Sequence, residues 1–307
     1  MKRFFAFTVL LVTVLSAEQL AVKGDAVPLT DSGVYYLAPQ WSPDGSKLAF
    51  SGVKYTGIYI LDFPGGDVTT LTRESGAGYG FSWSPDGEAI AARVSSYEKY
   101  FKKSQIMVYK LDGTKQALTD KLGQLTGVPA WTSSGKQVYM KAGTEFKAFP
   151  LDGELKAPGE NIVYLNNLGI YSRNSDTGEE KLISPSDMRV LHLAISPNRD
   201  AFVYSTVSEK LWLANMDGSN VRELGPGTAP SWSPDGKWIV GMTTQDDGHV
   251  FTGAELVAYR SADGAFKQLT NTPDVFEMRP SWSPDGKHIA FGNEADGRIW
   301  FIEVEEK

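Results

Sequence analysis

The sequence WSPDG occurs at residues 41–45, 83–87, 232–236 and 282–286, with weaker copies at 131–135 (WTSSG) and 195–199 (ISPNR). Six anchors at intervals of 42, 48, 64, 37 and 50 residues describe a chain built from one repeated supersecondary unit. Each copy has the same local physics. Proline fixes φ at the second position of a turn, aspartate suits the third, and glycine accepts the left-handed geometry that closes the turn.

A short apolar segment follows each anchor: KLAF from Lys47, AIAA from Ala89, QVYM from Gln137, AFVY from Ala201, WIVG from Trp238 and HIAF from His288. These read as strands. A second hairpin recurs downstream, as in QIMVYKLDGTKQALT, KLWLANMDGSNVREL and ELVAYRSADGAFKQLT, where Asp-Gly marks the turn. A strand carrying the motif, the strand after it and this hairpin make four antiparallel strands, the blade of a β-propeller. The expected fold is all-β, and the motif tryptophan is expected on the face that packs against a neighbouring blade.

The two chain ends support a closed ring. The last repeat stops after its third strand, while GDAVPLTDSG near the N-terminus parallels GGDVTTLTRESG, a fourth strand elsewhere. The segment 27–30 is therefore expected to complete the C-terminal blade and remove two open sheet edges. Blade number has two readings. Counting motifs gives six, the preferred value, with an extra hairpin in the third blade; counting hairpins gives seven, with a degenerate blade near residues 161–184 that has lost its SPDG turn.

Residues 1–17 read as a signal peptide and 18–307 as a single propeller domain. Lys2 and Arg3 precede an apolar run, and Ser16 and Ala17 supply the small residues of a cleavage site. The run is too short for comfortable membrane spanning, so no stable membrane insertion is expected after cleavage, and the protein is expected in the periplasm or outside the cell. With no cysteine, the chain has no lipidation site, disulfide or thiolate metal site. The net charge of −7, moving to −9 without Lys2 and Arg3, argues against nucleic acid as a partner.

WSPDGSKLAF from Trp41 and WSPDGKHIAF from Trp282 resemble the repeat of TolB and its relatives. The resemblance covers the whole mature chain and implies the propeller; it carries no catalytic residues, because the repeated positions are turn and packing residues. TolB has an α/β domain ahead of its propeller, and this chain is similar to the propeller alone. Prolyl-oligopeptidase-type peptidases share such repeats, but G-x-S-x-G does not occur here. Oligogalacturonate lyases are a third relative, with a histidine-ligated metal; His192, His249 and His288 fall in no spaced ligand motif.

Candidate binding residues gather on the propeller face opposite the SPDG turns. Tyr97, Lys99, Tyr100 and Phe101 come from one hairpin; Asp246, Asp247 and His249 from another; Phe276, Glu277 and Arg279 from the connection into the last blade. For YEKYFKK the competing reading is a solvated hairpin with its rings folded back. For QDDGH it is a polar turn, against a cation site using Asp246, Asp247 and Glu277. The expected function is a non-catalytic interaction module binding another envelope or secreted protein, or a glycan, with no cofactor, no metal and no catalytic residue. The alternative is a metal-assisted enzyme acting on polysaccharide, which requires the three histidines to converge.

Overall fold

The computed structural model of the protein describes residues 19–123, 125–143, 145–152, 161–166, 169–174 and 177–307. Residues 1–17, read above as a signal peptide, lie outside them. Among the described residues, strand β1 (Leu20–Pro28) is followed by seven sheets arranged as the blades of a ring. Blade 1 is β2 (Tyr36–Trp41), β3 (Lys47–Gly52), β4 (Thr56–Asp62) and β5 (Thr69–Ser75); blade 2 is β6 (Phe81–Trp83), β7 (Ala89–Glu98), β8 (Phe101–Lys110) and β9 (Lys115–Ala117). Blade 3 comprises β10 (Leu125–Trp131), β11 (Gln137–Ala142) and β12 (Glu145–Pro150), and blade 4 comprises β13 (Asn161–Asn166), β14 (Gly169–Asn174) and β15 (Glu180–Leu182). Blade 5 is β16 (Val190–Ile195), β17 (Ala201–Thr206), β18 (Lys210–Asn215) and β19 (Arg222–Pro226). Blade 6 is β20 (Thr228–Trp232), β21 (Trp238–Asp246), β22 (Phe251–Arg260) and β23 (Phe266–Gln268), and blade 7 is β24 (Glu277–Trp282), β25 (His288–Asn293), β26 (Ile299–Glu306) and, from the other end of the chain, β1.

The ring closes as the chain ends imply. β1 runs antiparallel to β26, from Leu20 opposite Glu306 to Pro28 opposite Trp300, so the pairing starts well before residue 27. Beyond the strand, Leu29 N–H donates to the Ile299 carbonyl at 2.7 Å and Thr30 Oγ1 accepts the Ile299 N–H at 3.0 Å. Leu20 is buried in the same apolar cluster as Trp282, Ile302 and Val304. This closure covers the outer edge of β26 and gives the last blade its fourth strand.

Seven blades replace the preferred six. The segment between Trp131 and Ile195 holds a blade of its own, because β14 and β15 repeat the backbone register of the third and fourth strands elsewhere. Ile183 N–H donates to the Ile170 carbonyl at 2.8 Å, as Leu118 does to Ile106 and Leu269 to Leu256, each at 2.9 Å. β13 is then a second strand. Among the described residues this blade shows three strands and no SPDG turn, so counting motifs misses it.

The core lies between blades. One cluster joins Ala49, Ile58 and Ile60 of blade 1 to Phe81, Ile90 and Met107 of blade 2; another joins Trp238, Val240 and Leu256 of blade 6 to Ile289 and Phe291 of blade 7. The motif residues tie these layers together. Trp41 Nε1 donates to the Ser281 carbonyl at 3.0 Å, Trp83 to Gln40 at 3.2 Å, Trp131 to Ser82 at 3.0 Å and Trp232 to Ala194 at 3.1 Å. In each case the acceptor is the residue just before the motif's first position in the preceding blade. The turn glycine lies at the same contact: Gly45, whose φ of +73° the turn requires, faces the Pro284 ring of blade 7.

Candidate functional site

The SPDG face is accounted for by its own turns. Ser42 Oγ donates to Asp44 Oδ1 at 2.6 Å, the Ser46 N–H reaches the same oxygen at 3.1 Å, and Ser42 Oγ accepts the Lys47 N–H at 3.0 Å. Asp86, Asp235 and Asp285 repeat the serine contact. These bonds, the Ser42 hydroxyl first, hold the Asp44 carboxyl down at about 2. A cleft of about 620 Å³ between blades 6 and 7 is lined by the same turns, including Pro234, Asp235 and Gly286.

On the opposite face two second-to-third-strand hairpins outreach the others. β7 and β8 pair out to Glu98 opposite Phe101, and β21 and β22 to Asp246 opposite Phe251. At the first tip Tyr97, Tyr100 and Phe101 are 72%, 94% and 71% exposed, so their rings project into solvent and do not fold back on the blade. Lys99 turns the tip at φ +57°. At the second tip Asp246 Oδ1 accepts the Gly248 N–H at 2.8 Å, and Asp247 Oδ1 accepts those of His249 and Val250, both at 2.9 Å. The two aspartates thus cap their own turn, beside exposed Val250 and Phe251.

Glu277 does not join them. It opens the inner strand of blade 7 at 0% exposure, where its Oε1 accepts the Thr272 hydroxyl at 2.6 Å and its Oε2 has no partner. Burial pushes its carboxyl up to about 7, and the neighbouring Glu255 adds to the rise. Phe276, half-buried, donates its N–H to Asn293 Oδ1 at 2.9 Å. The histidines are also dispersed. His288 lies behind an SPDG turn among the rings of Trp41, Phe63 and Phe301; His249 is on the exposed hairpin tip; His192 is on the inner strand of blade 5. Among the described residues no three His, Asp or Glu side chains form a metal-holding group. The histidine-based metal enzyme, as framed from the sequence, loses its geometric basis.

Arg279 meets residues that the motifs do not mark. It sits three positions before Trp282, in a bulge of the inner strand at φ +55°, the position held by Ala38 (φ +55°) and Ala229 (φ +48°) in blades 1 and 6. One of its Nη atoms donates to the Tyr55 hydroxyl at 3.3 Å. Tyr55 packs edge-on against Tyr79 with centroids 5.2 Å apart, and the Arg93 guanidinium lies over the Tyr79 ring, 5.1 Å from its centroid. Arg93 also donates to the Leu125 carbonyl at 3.0 Å. On the other flank, His192 Nδ1 is 2.9 Å from Ser205 Oγ and 3.1 Å from Thr228 Oγ1. Burial, with Arg279 adding to it, lowers the His192 imidazole to about 4, so it is neutral near pH 7. His192, like Arg279, is three residues before its anchor. Reading that position through the repeats gives Ala38, Gly80, Val128, His192, Ala229 and Arg279, a signal present in the sequence. Tyr55, Tyr79 and Arg93 leave no such trace.

No protein-family model matches the chain. The uncharacterized peptidase YuxL of Bacillus subtilis is 33% identical over 167 residues, 47% of this chain and 24% of that protein, so the chain spans about a quarter of the relative's length. A solved TolB-type structure from Agrobacterium tumefaciens aligns over 95% of this chain and 99% of its own at a TM-score of 0.58 and 19% identity. The oligogalacturonate lyase of Vibrio parahaemolyticus aligns over 94% and 96% at a TM-score of 0.65 and 14% identity. At these identities the likeness is one of fold.

Proposed function

We propose that this TolB-like propeller is a non-catalytic, exported interaction module whose loop face docks another envelope or secreted protein. The observation that carries the reading is the pair of projecting hairpins, whose solvent-facing Tyr97, Tyr100, Phe101 and Phe251 are the residue types enriched at protein interfaces. Lys99 and Arg279 add positive charge on that face, while Asp246 and Asp247 add negative charge on the second hairpin. Exposed rings on rigid paired strands suit recognition, since little conformational freedom is lost on docking. Export rests on the leader-like residues 1–17. Among the described residues no helix is long and apolar enough to cross a membrane.

A photo-crosslinking residue placed at Tyr100 or Phe251, in cells that make the protein, tests the docking face. A discrete crosslinked protein from either hairpin, and none from Lys287 beside the SPDG turn of blade 7, is the expected result. Crosslinks equally frequent from Lys287, or a purified protein that cleaves a glycan while no partner is trapped, would reject the reading. Mass spectrometry of the mature chain is expected to find Glu18 at the N-terminus.

A further inference from the structure

We propose that Arg279, Tyr55 and Arg93 form a binding site for an oxyanion, a carboxylate or phosphate group, at the mouth of the ring between blades 7, 1 and 2. The inference is independent of the protein-docking reading and rests on the pairing of charges. In a chain with 37 acidic and 30 basic residues, carboxylates are plentiful. Lys23, Lys47, Lys115, Arg173, Lys210 and Arg298 each have one within ion-pair distance. Arg93 and Arg279 are both partly buried, and among the described residues neither has a carboxylate partner. A guanidinium taken partly out of water without a counter-charge is unfavourable; the Leu125 carbonyl and Tyr79 ring at Arg93 and the Tyr55 hydroxyl at Arg279 offset part of that cost, and an anion would recover more.

The hydrogen-bond directions point the same way. Arg279 donates to the Tyr55 oxygen, so the Tyr55 hydroxyl proton is left to donate elsewhere. The remaining N–H groups of Arg279 lie beside that hydroxyl. Two donors side by side match the two oxygens of a carboxylate or two of a phosphate. Tyr79 lies edge-on to Tyr55 and under Arg93, which sets Arg93 as a second positive charge on the tyrosine pair that Arg279 also touches. The backbone is also held in an unfavourable region: Lys54 and Tyr55, consecutive non-glycine residues, have φ of +55° and +58°. Neutral His192 adds no competing charge on the far flank.

Calorimetric titration of the mature protein with sodium succinate and, separately, with inorganic phosphate, each against sodium chloride at equal ionic strength, tests the site. Saturable binding of at least one probe is expected, weakened about tenfold or more in Arg279→Met and in Arg93→Met and unchanged in Lys110→Met on the SPDG side. Response to succinate alone assigns a carboxylate ligand, to phosphate alone a phosphate ligand, and to both a general oxyanion site. Tyr55→Phe, which keeps the ring and removes the hydroxyl that accepts from Arg279 and would donate to the ligand, is expected to weaken binding. Unliganded Arg279→Met is expected to unfold at higher denaturant than the parent. Heats no different from chloride for both probes, or binding that survives in both arginine variants and in Tyr55→Phe, would overturn the proposal.

Discussion

The two faces of the ring treat their polar groups in opposite ways. On the SPDG side, Asp44, Asp86, Asp235 and Asp285 each accept a serine hydroxyl at 2.5 to 2.6 Å and a backbone N–H besides. On the loop side, Glu277 keeps an oxygen buried without a donor, and Arg93 and Arg279 have no carboxylate partner among the described residues. Where the SPDG aspartate recurs, its bonds close locally and hold the turn. Where the repeat is broken by a particular residue, a bond is left open. The difference separates the residues that build the propeller from those available to a ligand.

Removing a repeated residue should have the largest effect. Trp41 is almost fully buried, donates to blade 7 and packs edge-on against Phe63 with centroids 4.7 Å apart. Trp41→Ala is expected to destabilise by about 3–5 kcal/mol, read from the midpoint of denaturant unfolding at pH 7. A finer contrast sharpens the comparison. Trp282, in the same motif position, has an indole N–H with no acceptor. Trp41→Phe should therefore exceed Trp282→Phe by about 1 kcal/mol, the worth of one hydrogen bond. Equal losses would mean that ring packing alone joins the blades.

The same contrast explains what could be read before the structure. The turns, the following strands and the closure by β1 were legible because each is specified by local φ preferences and by a contact that recurs in most blades. The blade number was legible only as the alternative reading, a degenerate blade near residues 161–184, because that segment carries no SPDG turn. The hairpins with Tyr100 and Asp247 were legible as positions in the topology, but not the self-capping of Asp247 or the burial of Glu277, which depend on packing. Arg279 was singled out from its loop, whereas Tyr55 and Tyr79 come from VKY and GAGYG, which carry no pattern; only folding brings them to Arg279.

An open bond on the loop face predicts a gain on substitution. Glu277→Gln keeps an acceptor for Thr272 and removes the charge that burial disfavours. Because the folded pKa of about 7 lies above the ordinary 4.5, the native state holds the proton more tightly than the unfolded chain. Stability from this group is complete below about pH 4.5 and is lost as pH rises through about 7. The amide is expected to raise stability at pH 8 by about 2–3 kcal/mol, and to leave it unchanged at pH 4. His192 titrates with the opposite sign, favouring the fold as pH rises from about 4 to 6.5, so the difference between parent and variant at each pH isolates Glu277. A variant less stable than the parent at pH 8 would show that the open oxygen is satisfied in solution.

The smallest expected effect lies on the closed face. Asp44→Ala removes acceptors for the buried Ser42 hydroxyl and for the exposed Ser46 hydroxyl and N–H, and should lower stability by about 1 kcal/mol at pH 7. The carboxyl is held at about 2, below its ordinary 3.8, so its contribution is present above about pH 4 and fades as pH falls through about 2. Parent and variant are therefore expected to converge in strong acid, as measured by unfolding midpoints from pH 7 to pH 2. Glu277→Gln also departs from its parent as pH rises, but with the opposite sign, the variant being the more stable. Acid should thus loosen the Asp44 turn and relieve Glu277, and stability differences of the same sign for the two variants would remove the distinction between them.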